Sequence, residues 1–179
     1  MREDIRSNTN PSLVTMNLYI IRHAWAEKRD DSRWPNDDMR PLTADGKERF
    51  ARVVRQLVPR GMTPGIIASS PLPRCVETAG LVAAGLSNGP KIVKLDELRP
   101  DSDLEGLMQW TARHAVEYDE LAWVGHAPDV GWLAAAMIGE GGSLIRFSKG
   151  AVAAIRFDGP PAFGGGELQW LVTARLLGV

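Results

Sequence analysis

Short apolar runs alternate with longer amphipathic stretches along this chain. Four runs are rich in residues that favour strands: "NLYIIR" (17–22), "GIIASS" (65–70), "KIVKL" (91–95) and "LAWVGH" (121–126). Such runs predict short β-strands. The second and fourth are almost entirely apolar, which is typical of strands that a parallel sheet buries on both faces.

Helical periodicity fills the spaces between these strands. The best-defined helix precedes the second strand, with Thr43 predicted as its N-cap and Gly61 just past its end. Its apolar residues recur at helical spacing: Phe50, Val53, Val54, Leu57 and Val58. A second helix is predicted to begin with Ser70 as N-cap and Pro71 as the first helical residue. A third is predicted over 103–117 and a fourth from Pro128 to Met137.

Strands and helices in this order predict a three-layer α/β/α sandwich. Right-handed crossovers make the sheet mainly parallel, with helices on both faces. Two final runs, 151–157 and 168–174, flank a Gly/Pro-rich segment and predict an added β-hairpin. We expect residues 1–15, which are polar, to form a flexible leader and residues 16–179 to form a single domain.

Composition narrows the function classes. A chain of 179 residues with 44% hydrophobic content suits one enzyme-sized domain. Because 21 basic residues meet 22 acidic ones, no overall field attracts nucleic acid or a membrane, and we expect neither as a partner. One cysteine, Cys75, excludes an intrachain disulfide and favours a cytoplasmic location. Any recognition of an anion must therefore be local.

The candidate chemistry follows the strand ends. In open α/β sheets, ligands bind beyond the carboxyl ends of the strands, near helix N-termini. The first strand is followed by Arg22 and His23, the second by Arg74, and the fourth by His126. Two arginines and two histidines at one edge of the sheet predict a cationic pocket for a phosphoryl group.

Each of these residues also has a structural interpretation. A histidine at a strand end is commonly structural, so His23 and His126 gain weight only from their joint placement. Arg74 on the first turn of a helix opposes the helix dipole, which favours an anionic partner. Arg40 is either a cation at the rim of the pocket or a solvated loop charge. Cys75 lacks an arginine six positions on, where Leu81 stands, so a thiol-phosphatase loop is excluded and a buried thiol is predicted.

The motifs together resemble those of the histidine phosphatase superfamily, and within it the small SixA-like phosphohistidine phosphatases. The family's Arg-His-Gly or Arg-His-Ala matches residues 22–24, its Ser-Pro-Leu and arginine match 70–74, and its Val-Gly-His with a following proline matches 124–128. Three stretches resemble SixA members in particular: "RPLTADG" (40–46), "ELRP" (97–100) and "SKGAVAAIRF" (148–157).

This resemblance implies a phosphoglycerate mutase-like fold and a phosphatase that needs no metal or other cofactor. It implies that His23 is a nucleophile that becomes phosphorylated, and that Arg22, Arg74 and His126 bind the phosphoryl oxygens. His23 would need a neutral attacking nitrogen, which requires its other ring nitrogen to donate to a fixed acceptor, expected to be a backbone carbonyl. The nearby arginines should disfavour protonation of His23.

One departure from the larger family members concerns the general acid. Those members carry a long helical insertion after the third strand and a glutamate that protonates the leaving group. Only about 25 residues separate Leu95 from Leu121 here, so the insertion is absent. Glu97 is the nearest counterpart by position, although it could equally be structural. Three further carboxylates are candidates: Asp101, Asp103 and Glu105.

The missing insertion favours phosphohistidine as substrate. An imidazole, with a pKa of about 6.5, leaves with little help from an acid, whereas an alkoxide needs one. We therefore expect a phosphorylated protein as the partner in signal transduction and inorganic phosphate as the product. Two alternatives remain open: a phosphomonoesterase for small phosphate esters, and a phosphate-binding module without catalysis.

Overall fold

The computed structural model describes residues 15–139 and 141–179. The strands are β1 (Thr15–Arg22), β2 (Ile66–Ser69), β3 (Lys91–Lys94), β4 (Glu120–Gly125), β5 (Val152–Asp158) and β6 (Gly166–Val172). The helices are α1 (Ala44–Leu57), α2 (Pro73–Ala84), α3 (Leu104–His114) and α4 (Asp129–Met137). The element order confirms the predicted alternation of strands and helices.

The six strands form one mixed sheet in the order β3-β2-β4-β1-β5-β6. The first four in this order pair in parallel, while β5 runs antiparallel to β1 and pairs with β6 as the predicted hairpin. Arg22 lies opposite Gly125 in the β1–β4 register, and Ser69 lies opposite Val124 in the β2–β4 register. The carboxyl ends of β1, β2 and β4 therefore meet at one edge.

Alternating side chains of the strands build two cores, one on each face of the sheet. Leu18 and Ile20 of β1 pack with α3 and α4, whereas Tyr19 and Ile21 pack with α1 and α2. This period of two places one helical layer on each side of the sheet. The predicted three-layer α/β/α sandwich is confirmed.

The boundaries of α1 follow local chemistry. Thr43 Oγ1 accepts a hydrogen bond from Gly46 N, which confirms the predicted N-cap. A 3₁₀ turn, Val58–Arg60, follows the helix, and Gly61 then adopts φ 96°, a left-handed conformation that suits a residue without Cβ. Phe50 and Val53 lie buried on the inner face.

Two boundary predictions need correction. Helix α2 begins at Pro73, with Leu72 in the cap position, so Ser70 and Pro71 precede the helix. The hydroxyl of Ser70 instead contacts His126. Thr15, which was assigned to the leader, is the first residue of β1. The rest of the predicted leader, residues 1–14, lies outside the described residues.

No helix in the described part of the chain is long and apolar enough to cross a membrane.

Candidate active site

A cavity of about 420 Å³ lies at the edge where β1, β2 and β4 end. It brings together all four predicted site residues at the strand ends, and Arg40 as well. The remaining lining comes from three other segments: Pro100 and Asp101, Ala127 to Asp129 with Trp132, and Lys149. The topology explains this convergence, because parallel strands deliver their following residues to a common edge.

The imidazole of His23 has one nitrogen occupied and one free. Its Nδ1 lies 2.8 Å from the carbonyl oxygen of Ala24. A carbonyl can only accept, so Nδ1 carries the hydrogen and Nε2 keeps its lone pair. The expected acceptor is thus a backbone carbonyl, that of the next residue.

His23 is also held in its neutral form. Its side chain is buried, and this loss of hydration lowers the pKa to about 3, with smaller contributions from His126, Arg74 and Arg22. The hydrogen bond to Ala24 opposes the shift. The predicted direction is correct, but burial, not the arginines, is the largest cause. At neutral pH the Nε2 lone pair is therefore available to a ligand in the cavity.

Backbone contacts fix the segment that carries His23. Ala24 N donates to Thr78 Oγ1 at 3.0 Å, which ties the end of β1 to α2. His23 O accepts from Gly150 N at 3.2 Å. His23 N donates to Gly125 O at 3.0 Å. Three neighbouring segments thus position the imidazole without using its Nε2.

His126 is the second histidine of the cavity, and its ring centroid lies 5.3 Å from that of His23. Its Nε2 lies 2.9 Å from Ser70 Oγ and 3.4 Å from Cys75 Sγ. Burial, followed by Arg74 and Arg22, lowers its pKa to about 4. Cys75 is fully buried beside it, as predicted, and burial raises the pKa of the thiol to about 12. The thiol is therefore protonated at neutral pH.

Arg22, at the end of β1, and Arg74, on the first turn of α2, both line the cavity. Arg22 Nη1 donates to Phe147 O at 2.8 Å, and Arg74 Nη1 donates to Asp37 O at 3.0 Å. The Nε of each is buried and has no hydrogen-bond acceptor among the described residues. Both guanidiniums are thus held by carbonyls yet keep unused donors, which suits a planar recognition of phosphate oxygens.

Arg40 lines the cavity but already has a carboxylate partner. Its Nε and Nη2 donate to the two oxygens of Asp37 at 2.9 and 3.2 Å, and Nη1 donates to Glu27 O at 2.7 Å. Asp37 Oδ2 also lies 3.7 Å from Arg74 Nη2. The hydrogen bonds from Arg40 lower the pKa of Asp37, so this carboxylate is charged and offsets part of the positive field.

The carboxylates that line the cavity do not include Glu97, the first candidate for the general acid from the sequence. The Cγ of Glu97 lies so close to Gly106 that a Cβ there would approach to 2.8 Å, which places the side chain against the first turn of α3. The lining carboxylates are Asp101, one of the sequence candidates, and Asp129, which the sequence analysis did not propose.

Asp129 is a buried acid at the start of α4. It is 5% exposed, and its Oδ2 accepts a hydrogen bond from Asp101 N at 3.0 Å. Burial raises the pKa of Asp129 despite this hydrogen bond. The signal that could have found it is its place three residues after His126, at the first helical position beyond a strand end.

In the described ranges, 15–139 and 141–179, no group of three or more histidine, cysteine, aspartate or glutamate side chains could hold a metal ion.

Comparisons with known proteins agree with this geometry. The family model "Histidine phosphatase superfamily (branch 1)" matches residues 18–156. An uncharacterized protein of Picosynechococcus sp. strain PCC 7002 is 34% identical over 143 residues, which cover 79% of this chain and 85% of that protein.

Solved structures share the fold. The protein histidine phosphatase SixA, solved with tungstate, superposes with a TM-score of 0.79 at 24% identity, over 90% of this chain and 99% of SixA. The alpha-ribazole phosphatase of Shigella flexneri superposes with a TM-score of 0.61 at 19% identity, over 89% of this chain and 97% of that enzyme. The same fold thus serves phosphatases for protein-borne and for small substrates. Because the family model spans most of the chain, this protein belongs to the histidine phosphatase superfamily and is a metal-independent phosphatase.

Proposed function

We propose that this phosphatase removes the phosphoryl group from phosphohistidine on a protein, through a covalent intermediate on His23. The observation that carries the proposal is the state of the His23 ring: Nδ1 donates to Ala24 O, so Nε2 has a free lone pair in a cavity lined by Arg22, Arg74 and His126. A nucleophile held in this way beside unused cationic donors matches the needs of phosphoryl transfer.

The reaction has two steps. His23 Nε2 attacks phosphorus, and the bond from phosphorus to the leaving nitrogen breaks, with its electron pair going to that nitrogen. The substrate ring carries a proton on its other nitrogen, so it departs as a neutral imidazole. Water then attacks the phosphorus of phospho-His23, releasing inorganic phosphate and the neutral imidazole. In both steps negative charge spreads over the equatorial oxygens, where the Arg22 and Arg74 guanidiniums stabilise it.

The short segment between β3 and β4 supports access for a substrate carried on another protein. Between Lys94 at the end of β3 and Glu120 at the start of β4, the chain forms only a 3₁₀ turn (Asp96–Leu98) and α3. The long insertion of the larger family members is absent from this segment. An imidazole leaving group also departs with little help from an acid, which supports phosphohistidine over an alkyl ester.

The test is the loss of the nucleophile. His23→Ala should lower kcat on a phosphohistidine protein by at least about 10⁴-fold, as expected when a covalent nucleophile is removed, and should abolish labelling by a phosphoryl donor. The matched control is His114→Ala, because His114 stacks on Trp110 of α3 and does not line the cavity. Phosphate binding without a burst or turnover in the unaltered protein would instead support the binding-module alternative.

A second candidate function is the hydrolysis of small phosphate esters. The observation that favours it is Asp129, a carboxyl that lines the cavity and whose pKa is raised by burial. Such an acid could protonate an alkoxide leaving group. A comparison of kcat/KM on a phosphohistidine protein with that on alkyl phosphates separates the two functions.

A further inference from the structure

A second, strongly basic cavity adjoins the cavity that contains His23, which we call the catalytic cavity. It has a volume of about 380 Å³ and shares Arg22 and Lys149 with the catalytic cavity. Among the residues that the structure describes, no aspartate or glutamate lines it. We call it the basic groove after its five cations: Arg22, Arg49, Arg146, Lys149 and Arg175. This concentration of charge stands out in a chain whose net charge is −1.

The exposed cations of the groove lack carboxylate partners. Arg146, Lys149 and Arg175 are exposed, and none of them forms an ion pair with another residue in the described part of the chain. A neighbouring cavity beside Lys149 gives the contrast, because Glu27, Asp30 and Asp45 line it together with its cations. Of these two cavities, as formed by the described residues, only the basic groove has no carboxylate in its lining.

Contacts of Arg49 and of Phe147 fix two sides of the groove. Arg49 lies over the ring of Trp25, 4.2 Å from its centroid, and donates from Nη2 to Val179 O at 2.8 Å. Phe147 is buried in the core, while its carbonyl accepts the hydrogen bond from Arg22. The segment that carries Arg146 and Lys149 is therefore anchored to the end of β1, at the catalytic cavity.

The sheet topology explains why the basic segment lies there. β5 is antiparallel to β1, and Val152 lies opposite Ile21, so the residues just before β5 reach the same edge as those just after β1. Gly150, just before β5, adopts φ 67° and donates from its backbone N–H to His23 O. Because Arg22 and Lys149 line both cavities, the groove lies within reach of residues that flank a phosphohistidine placed beside His23.

We propose that the basic groove binds an acidic segment of the substrate protein that flanks its phosphohistidine. The inference rests on the proposed function and adds a feature that the substrate must have. Aspartate or glutamate residues next to the phosphohistidine would meet Arg146 and Arg175, which form no ion pair within residues 15–139 and 141–179. Arg146 also lies close enough to Arg22 to lower its pKa, after the larger effect of burial, so an anion in the groove would relieve repulsion between the two.

The experiment compares two phosphohistidine peptides that differ only in the residues flanking the phosphohistidine. These residues are aspartate and glutamate in one peptide and asparagine and glutamine in the other. Binding is measured by fluorescence anisotropy with the His23→Ala protein, which leaves the peptides intact. We expect the acidic peptide to bind about tenfold more tightly at low salt and the ratio to shrink as salt screens the charges. Using the ratio of the two affinities cancels any change that affects both peptides equally.

Charge-reversal variants then test whether the preference for the acidic peptide depends on the basic groove. Arg146→Glu combined with Arg175→Glu should remove the preference for the acidic peptide. Arg113→Glu makes the same kind of change at an exposed residue of α3 that lines neither cavity, and should keep the preference. Equal binding of both peptides, or a preference that survives the double reversal, would overturn the proposal.

Two further outcomes are distinguishable. A single-stranded oligonucleotide that binds more tightly than the acidic peptide, and loses binding in the double reversal, would overturn the proposal in favour of nucleic acid. If the unaltered protein binds the acidic peptide selectively but hydrolyses neither peptide, the proposed function fails while the acidic docking site stands. The two proposals can therefore fail separately.

Discussion

Two sets of side chains line the catalytic cavity, and they are held in different ways. The cationic lining consists of Arg22, Arg40, Arg74 and Lys149, and the acidic lining consists of Asp101 and Asp129. Three of the four cations donate to backbone carbonyls, and Arg22 and Arg74 keep an Nε donor without an acceptor among the described residues. Asp129 instead accepts a hydrogen bond from a backbone N–H, and burial raises its pKa.

The difference separates two chemical tasks. Fixed guanidiniums stabilise charge without moving, so their contribution applies to every phosphoryl group that enters the cavity. A carboxyl with a raised pKa contributes a proton, which matters only when the leaving group is strongly basic. The cationic lining should therefore control whether the protein is a phosphatase at all, and the acidic lining which phosphate compounds it hydrolyses.

The strongest test of the cationic lining is Arg74→Ala. Removal of a donor that stabilises the transition state typically costs about 10²–10³ in kcat, and Arg74 also carries a full charge, so we expect a loss of about 10³-fold on every substrate. Arg74→Lys keeps the charge but loses the planar pair of donors, and should recover only part of the activity. Steady-state kinetics on an aryl phosphate and on a phosphohistidine protein measure both, and a loss below tenfold would contradict the assignment.

The acidic lining is tested by Asp129→Asn. The amide keeps the shape and can still accept from Asp101 N, but it cannot donate a carboxyl proton. We expect kcat on alkyl phosphates to fall by about 10²-fold, the lower end for general acid catalysis, and turnover of phosphohistidine to change little. Equal losses on both substrates would show that Asp129 acts by positioning and not as an acid.

The matched control is Glu97→Gln. Glu97 packs against α3 and does not line the cavity, so its loss should change neither rate by more than about twofold, in the range of a substitution away from the site. If Glu97→Gln lowers kcat on alkyl phosphates but not on phosphohistidine, Glu97 is the general acid, as its position in the chain suggests. The pair of variants therefore decides between the two carboxyls.

The contrast between the two linings also explains what the sequence could predict. Arg22 ends β1, and His23 and His126 directly follow β1 and β4. The apolar pattern of the strands predicts these positions, and the meeting of parallel strands at their carboxyl ends predicts that the three residues lie together. Asp129 becomes an acid through burial, and Asp37 becomes a partner of Arg40 and Arg74 through a loop whose path no periodicity encodes. The start of α2 failed for a similar reason, since Ser70 binds His126 and does not cap the helix.

Stability should depend on pH through the two histidines of the cavity. Their folded pKa values, about 3 for His23 and about 4 for His126, lie below the ordinary value of 6.5. As the pH falls below about 6.5 the unfolded state therefore takes up protons that the folded state does not, and the free energy of unfolding should fall by at most about 1.4 kcal/mol per pH unit for each histidine. The contribution is fully present above about pH 6.5.

Urea denaturation at pH 7, 5.5 and 4.5 measures this dependence. His23→Gln removes one titrating group and should make the decline shallower between pH 6.5 and 4.5 than in the unaltered protein. An unchanged slope would mean that His23 takes up its proton in the folded state over the same range, contrary to its burial.

The smallest expected effect concerns Asp37, the carboxylate that offsets part of the cationic lining. Its Oδ2 lies 3.7 Å from Arg74 Nη2, with the Asp37 side chain 36% exposed, so solvent weakens the pairing. Asp37→Asn keeps an acceptor for Arg40 and leaves the backbone carbonyl that Arg74 contacts. Loss of the negative charge should therefore tighten competitive inhibition by inorganic phosphate, by about threefold at low salt.

The neighbouring residue provides the control for Asp37→Asn. Asp38 pairs with Arg99 at 3.4 Å, and neither lines the catalytic cavity. Asp38→Asn removes the same charge one position away and should leave the inhibition constant of phosphate nearly unchanged. Weaker phosphate binding in Asp37→Asn would contradict this expectation. It would mean that the main role of the Asp37 carboxylate is to hold Arg40 and Arg74 in position, and that this effect on phosphate binding exceeds the effect of its negative charge.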